Sequence, residues 1–336
     1  VSHDRHFLDM VCTNVVDVDF AKIRMFTGNY TFWYETSQLM SRQMADKNKK
    51  VEQKRQEMMD FIARFSANAS KSKQATSRKK ALEKLNLEEL QVSSRRYPYI
   101  AFKPEREPGD VILNIEKLSK RSNTGEYLFK DLFLRFNRGE KIAVLSRNAL
   151  AVTALFEILS GEDKDFEGEF QFGQTISAQY LPNDNSAYFS GDQDMNLIDW
   201  LRQYSKEKDE SFIRGFLGRM LFGGEEVFKR SGVLSGGEKV RCMMSKIMLS
   251  NPNFLILDEP TNHLDLESIT ALNTGMQDFS GNIIFSSHDY QILDSVANRI
   301  IEITPNGLID QSMTYSEYLH SDKVKAARKA MYEVLV

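Results

Sequence analysis

Leu255-Ile-Leu-Asp-Glu-Pro-Thr-Asn-His-Leu-Asp265 decides how this sequence is read. Leu255–Leu257 are uniformly apolar, as a strand buried on both faces must be. Such a strand delivers Asp258 and Glu259 at its carboxyl end, the usual ligand edge of a parallel sheet. Upstream stands Leu234-Ser-Gly-Gly-Glu238, and downstream Ser287-His288-Asp289. Ser235, Gly236, Gly237 and Glu238 open a helix, whose free backbone N–H groups and dipole favour a phosphate. Asp258 can hold Mg²⁺ directly or through water. Glu259 can orient or deprotonate an attacking water. His288, ending the next strand, can reach a γ-phosphate.

Outward from this stretch the pattern alternates. Helices are predicted over 236–250, 265–278 and 289–297, with strands over 254–258 and 282–287 between them. Upstream, strands are predicted over 111–118, 128–136 and 141–145, a helix over 152–160, strands near 168–181, and helical segments over 195–204 and 210–221. Strand–helix alternation means a parallel sheet with helical cover.

The order of motifs resembles the nucleotide-binding domains of ATP-binding cassettes: signature at 234–238, Walker B strand with catalytic Glu259, D-loop at Leu264-Asp265, and switch His288. The resemblance implies an α/β, P-loop NTPase-like fold with a mixed sheet and a helical subdomain, and ATP with Mg²⁺ as ligands. The family's phosphate loop, G-x-x-x-x-G-K-[ST], falls on Ser146-Arg-Asn-Ala-Leu-Ala-Val-Thr153. Ser146, Ala149 and Ala151 replace glycines whose missing Cβ lets backbone wrap phosphates. Val152 replaces the lysine, at a cost of roughly 2–5 kcal/mol of phosphate affinity if it compares with breaking a buried charge pair. Thr153 remains as a Mg²⁺-side hydroxyl, and Asn183 stands where the family's glutamine is expected. The expectation is a site that binds ATP weakly and hydrolyses it poorly.

The beginning of the chain repeats its end. Val1–Glu35 aligns without gaps to Ser286–His320, with Ser2-His3-Asp4 on Ser287-His288-Asp289 and Leu8-Asp9 on Leu293-Asp294. Residues 1–35 therefore read as the tail of a first cassette and 111–320 as a second, followed by a helical extension over 321–336. With equal copies, roughly 175 residues would precede Val1. Paired cassettes of this family sandwich ATP head to tail. On that architecture, intramolecular pairing makes Ser235–Glu238 complete the site of the first cassette, to which His3 belongs.

Residues 36–110 join the copies. Met44, Val51, Met58 and Phe65 recur every seven residues, with Met40 and Ile62 nearby, a narrow stripe suited to pairing one helix with another. The first helix is expected to run roughly 28 residues, about 40 Å. A second helical run over 76–92, carrying Leu82, Leu85 and Leu90, suggests an antiparallel hairpin with a small-residue tip. Residues 42–96 hold 15 Lys/Arg against 7 Asp/Glu, so the net charge of −3 averages a basic arm with an acidic body. Cys12 and Cys242 are the only cysteines, which excludes a disulfide framework and an iron–sulfur cluster. Their scarcity suits a cytoplasmic setting. No apolar run approaches the roughly 20 residues needed to span a bilayer.

Soluble tandem cassettes joined by a charged helical hairpin resemble the ABC-F proteins. Phe61–Lys71 followed by Ala75-Thr-Ser-Arg78 is similar to the linker of the YbiT-type subfamily. That resemblance implies an ATP-dependent translation factor whose arm approaches rRNA and the P-site tRNA on the ribosome. Arg64, Lys71, Lys73, Arg78, Lys79 and Lys80 are then the candidate contacts, since basic side chains on a narrow rod neutralise phosphates. Two other classes stay open: a non-catalytic, nucleotide-sensing ribosome-binding module, and the soluble ATPase subunit of a transporter.

Overall fold

The computed structural model describes residues 4–19, 22–65, 74, 77–80, 82, 95–190 and 195–332. They form two compact units, one within 7–96 and the other of 4–6 with residues within 97–332.

The larger unit is built on a six-stranded sheet of order β11-β10-β5-β9-β8-β7. Its strands are β5 (Lys141–Ser146), β7 (Ala178–Leu181), β8 (Phe254–Leu257), β9 (Asn282–Phe285), β10 (Arg299–Thr304) and β11 (Gly307–Gln311). All neighbours are parallel except β10 and β11, so the sheet is mixed. Phe254–Leu257 are fully buried, as a strand covered on both faces requires. A separate antiparallel sheet, β4-β3-β6, consists of β3 (Leu113–Arg121), β4 (Tyr127–Phe136) and β6 (Glu167–Phe172). The stretch near 168–181 expected as strand is thus divided between two sheets. The break falls at Gly173, whose N–H bonds the Ile112 carbonyl at 2.9 Å. A Cβ there would lie 1.8 Å from the Val111 carbonyl oxygen, so only glycine fits the crossing.

Helix α3 (Ala149–Ser160) follows β5. It begins three residues earlier than its apolar pattern suggests, because the Asn148 side chain caps it by accepting the Leu150 N–H. Helices α4 (Leu197–Arg202) and α5 (Glu210–Arg219) precede α6 (Gly236–Ser250), α7 (Leu266–Asp278) and α8 (Tyr290–Val296). Two helices close the chain, α9 (Tyr315–His320) and α10 (Asp322–Tyr332).

The smaller unit contains β1 (Asn14–Asp19) paired antiparallel with β2 (Lys22–Thr27). The helix α1 (Arg5–Val11) precedes them, and α2 (Tyr30–Phe65) follows. Helix α2 is 36 residues long, about 54 Å at 1.5 Å per residue, and starts earlier than the stripe alone indicates. Its beginning is fixed by polar contacts: the Asn29 side chain accepts the Phe32 N–H, and Asp9 accepts the Thr31 N–H at 2.7 Å. Met44, Val51, Met58 and Ile62 are half-buried along one stripe, while Met40 is exposed. Trp33 is buried and packs rather than presenting a stacking surface. Asp17 ties it in, accepting from Trp33 Nε1 at 3.4 Å and from Arg95 at 2.7 Å.

The repeat is visible in the elements themselves. Helices α1 and α8 begin at 5 and 290, and strands β1 and β10 at 14 and 299. A hydrogen bond repeats too: Asp9 accepts the Thr31 N–H, and Asp294 accepts the Ser316 N–H, each at 2.7 Å. Burial differs between the copies. Ile301 and Ile303 of β10 are buried against the sheet, whereas their counterparts Val16 and Val18 are 57% and 64% exposed.

Candidate functional site

The carboxyl ends of β5, β8 and β9 converge on a cavity of about 320 Å³. Thr153, Asn183, Asp258, Glu259 and His288 all line it. Asp258 is almost wholly buried and both its oxygens are engaged: Oδ2 accepts from Thr153 Oγ1 and Oδ1 from Ser286 Oγ, each at 2.8 Å. Burial pushes its carboxyl above the ordinary range, and the two hydroxyl donors pull the other way. Ser286 bridges the acidic pair, because its Oγ also accepts the Glu259 N–H at 2.9 Å.

Glu259 sits at φ +47°, a left-handed conformation that is strained for a side chain of this kind. Strain here turns the carboxylate toward His288, whose N–H it accepts at 3.2 Å and whose Nε2 lies 3.4 Å from Oε1. Burial raises the Glu259 carboxyl, opposed by the imidazole beside it. A partly desolvated carboxylate next to an exposed imidazole can orient a water and take a proton from it. Asn183 is held by Asn262, whose Nδ2 donates to its Oδ1 at 2.9 Å.

The phosphate-loop side is different. Val152 lines the cavity with a buried, apolar side chain and offers no donor. Several of the loop's own polar groups are bonded within the chain. The Asn148 N–H goes to Ser146 Oγ at 3.1 Å, and that hydroxyl donates to the Ile303 carbonyl at 3.0 Å. The Leu150 N–H goes to Asn148 Oδ1 at 3.2 Å and the Ala151 N–H to the Asn148 carbonyl at 3.1 Å. Thr153 and Asp258 therefore fit Mg²⁺, while Val152 and the loop backbone offer a phosphate chain little.

Ser235–Glu238 do not line this cavity. Ser235 and Glu238 form a reciprocal cap at the start of α6, with Glu238 accepting the Ser235 N–H at 2.8 Å and Lys229 at 2.8 Å. Burial would raise the Glu238 carboxyl, but the Lys229 and Ser235 hydrogen bonds outweigh it and hold it at about 2. The two glycines have a steric reason inside the chain as well. A Cβ on Gly236 would meet the His263 ring at 2.8 Å, and one on Gly237 the His263 carbonyl oxygen at 2.7 Å.

Of the arm residues, Arg64, Arg78, Lys79 and Lys80 are exposed, and the Arg78 guanidinium lies 3.7 Å from the centre of the Phe61 ring. His3, Lys71 and Lys73 lie outside the described residues, as do Leu85 and Leu90.

Motif reading missed Ser286, Asn262, Glu302 and Arg328. Glu302 did carry a signal, since it is a lone acid in the apolar run Ile300-Ile-Glu-Ile303. Arg328 carried none, because α10 reads as an ordinary charged helix.

These features define an ATP-binding cassette, and the chain belongs to the ABC family of ATP-binding proteins. A family model described as ABC transporter matches residues 129–262, and a second with the same description matches 16–102. The chain is 57% identical over 333 residues to YkpA of Bacillus subtilis (strain 168), described as an ABC transporter ATP-binding protein. The match covers 99% of this chain and 61% of that protein. It is 41% identical to the ATP-binding protein YbiT of Escherichia coli O157:H7, covering 97% of this chain and 61% of the relative. An Arabidopsis thaliana protein described as ABC transporter F family member 5 is 31% identical, with 96% and 46% covered. The chain thus spans less than two thirds of the length of these relatives. Among solved structures, an ATP-binding cassette described as a dimeric post-hydrolysis state bound to ADP and Pi superposes with a TM-score of 0.51 at 14% identity. That alignment covers 60% of this chain and 99% of that structure, and it speaks to the fold. No helix among the described residues is long and apolar enough to cross a membrane.

Proposed function

We propose that this chain is part of an ABC-F-type, cytoplasmic translation factor that binds the ribosome in an ATP-dependent manner. Residues 1–35 act as the tail of a first cassette, 36–110 as the basic arm, 111–320 as the second cassette and 321–336 as a helical extension. The arm reaches rRNA and the P-site tRNA through cations such as Arg64, Arg78, Lys79 and Lys80. In the whole protein the first cassette pairs with the second, and a helix equivalent to α3 covers Val16 and Val18, as α3 shares a core with their counterparts Ile301 and Ile303. Those apolar side chains and the repeated elements support that pairing. Ser235–Glu238 then serve the first cassette's nucleotide, with His3 on the same site.

This cassette's own site is a weak one. The observation that carries the reading is Val152 at the lysine position, beside a Thr153–Asp258–Glu259–His288 set able to take Mg²⁺. The loop's internally bonded N–H groups also favour a second reading, a nucleotide-sensing ribosome-binding module without turnover. Ribosome co-sedimentation of the whole protein, with and without ATP, separates the two. Salt-sensitive, ATP-dependent pelleting is expected of the factor, and ATP-independent pelleting supports the passive module. Failure to pellet under either condition contradicts both.

A further inference from the structure

The cavity that holds Thr153 and Asp258 is also lined by Arg147, at an unspecified position of the phosphate-loop stretch, and by Arg328, which belongs to no cassette motif quoted above. Arg328 comes from α10, whose apolar positions Val324, Ala327 and Met331 pack on the main core. Their i, i+3, i+7 spacing places Arg328 and Tyr332 on the same side of the helix. Glu302, only 1% exposed, fixes both: it accepts from Arg328 Nε at 3.1 Å, Tyr332 Oη at 2.8 Å and Tyr318 Oη at 2.6 Å. The terminal nitrogens of Arg328 bond no other described residue, and its side chain stays 36% exposed. The Arg147 guanidinium lies 3.8 Å from the centre of the Tyr332 ring, so the same tyrosine braces the second cation. Behind the pair, a neighbouring cavity of about 370 Å³ is lined by Arg147, Lys325, Arg328, Lys329 and Tyr332, with no acid among them.

We infer that the phosphate-binding role vacated at Val152 has moved to Arg147 and Arg328, which take the phosphate chain of a nucleotide from the α10 side of the cavity. Two pre-positioned guanidinium forks suit phosphate oxygens better than mobile lysines do, because less side-chain freedom is lost per hydrogen bond. Glu302 serves as a positioning residue that orients the fork through Nε and leaves the outer nitrogens for the ligand. This inference rests on the reading of the cavity as a weakened nucleotide site.

Titration of the full 336-residue chain with Mg·ATP tests it, with inorganic tripolyphosphate and adenosine as competitors. Two variants remove the cations: Arg147→Gln, and the pair Glu302→Gln with Arg328→Gln, which avoids stranding a buried carboxylate. Each is expected to weaken ATP binding about tenfold, as loss of a charge-assisted hydrogen bond does. Tripolyphosphate should compete and adenosine should not. Unchanged affinity in both variants, with unchanged melting temperature, overturns the inference, as does the absence of any ATP binding by the parent chain. Val152→Lys separates this from the weak-site reading. If it raises affinity while the arginine variants change nothing, only the inference fails. If it changes nothing while the arginine variants lose binding, only the weak-site reading fails.

Discussion

The two walls of the nucleotide cavity are in opposite physical states. The acidic wall, at the ends of β8 and β9, keeps groups that work against stability. Asp258 is a carboxylate at 2% exposure, and Glu259 holds left-handed backbone at φ +47°. The loop wall, after β5, is relaxed. Asn148 caps α3, Ser146 binds Ile303, and Val152 fills apolar space. Left-handed backbone and a buried carboxylate both cost free energy, and within this cavity they stand together on the acidic wall. On the proposed reading, the acidic wall suits a metal and a water, while the loop wall suits folding.

The largest expected effect comes from reversing the relaxed wall. Val152→Lys should raise Mg·ATP affinity at least tenfold, since a lysine–phosphate contact compares with a buried charge pair of about 2–5 kcal/mol. Isothermal titration reads this directly, and an unchanged isotherm would break the contrast between the walls. Next, Asp258→Asn should abolish Mg²⁺-dependence while raising the melting temperature near neutral pH. The sign follows from the upward shift of the Asp258 carboxyl from 3.8. Below that pH the residue is neutral in both folded and unfolded chains and carries no penalty. Between that pH and the raised folded value the unfolded chain ionises while the buried carboxyl stays protonated, so stability falls, and above the folded value the loss is complete and constant. The advantage of the variant should thus grow with pH over that interval and vanish below about pH 4. Melting curves across that range test it.

Smaller effects probe how tightly the signature helix and the loop wall are built. Gly237→Ala should destabilise by about 1–3 kcal/mol, the range for overpacking, because its Cβ meets backbone at 2.7 Å. Gly236→Ala should cost less, since its clash is with a side chain rather than with backbone. Equal losses in chemical denaturation would contradict that ordering. Asn148→Ala should cost about 1 kcal/mol, the worth of a helix cap, and should free the Leu150 N–H. A modest gain in phosphate affinity alongside the stability loss is the expected double signature.

Much of this was legible from the sequence. The apolar run Leu255–Leu257 and the acids behind it announced a buried strand and its ligand edge, and β8 lies where the pattern put it. Val152 was equally plain, because a fixed spacing names the residue that should be lysine. Features made by tertiary contact were less visible. The early start of α2 depends on Asp9, which lies 22 residues before Thr31. The role of Ser286 depends on two strands lying side by side, and Arg328 reaches the cavity only because Val324 and Met331 seat α10. The signature glycines show the limit of motif logic. Their chemistry pointed to phosphate, yet inside this chain His263 already forbids a Cβ at both positions.

On the proposed reading, this cassette keeps a metal-and-water wall without a working phosphate loop. Titration of the chain with ATP, in the presence and absence of Mg²⁺ and with phosphate release followed in parallel, tests it most directly. Weak, Mg²⁺-dependent binding with negligible phosphate release is the predicted result. Micromolar binding with sustained turnover would contradict it.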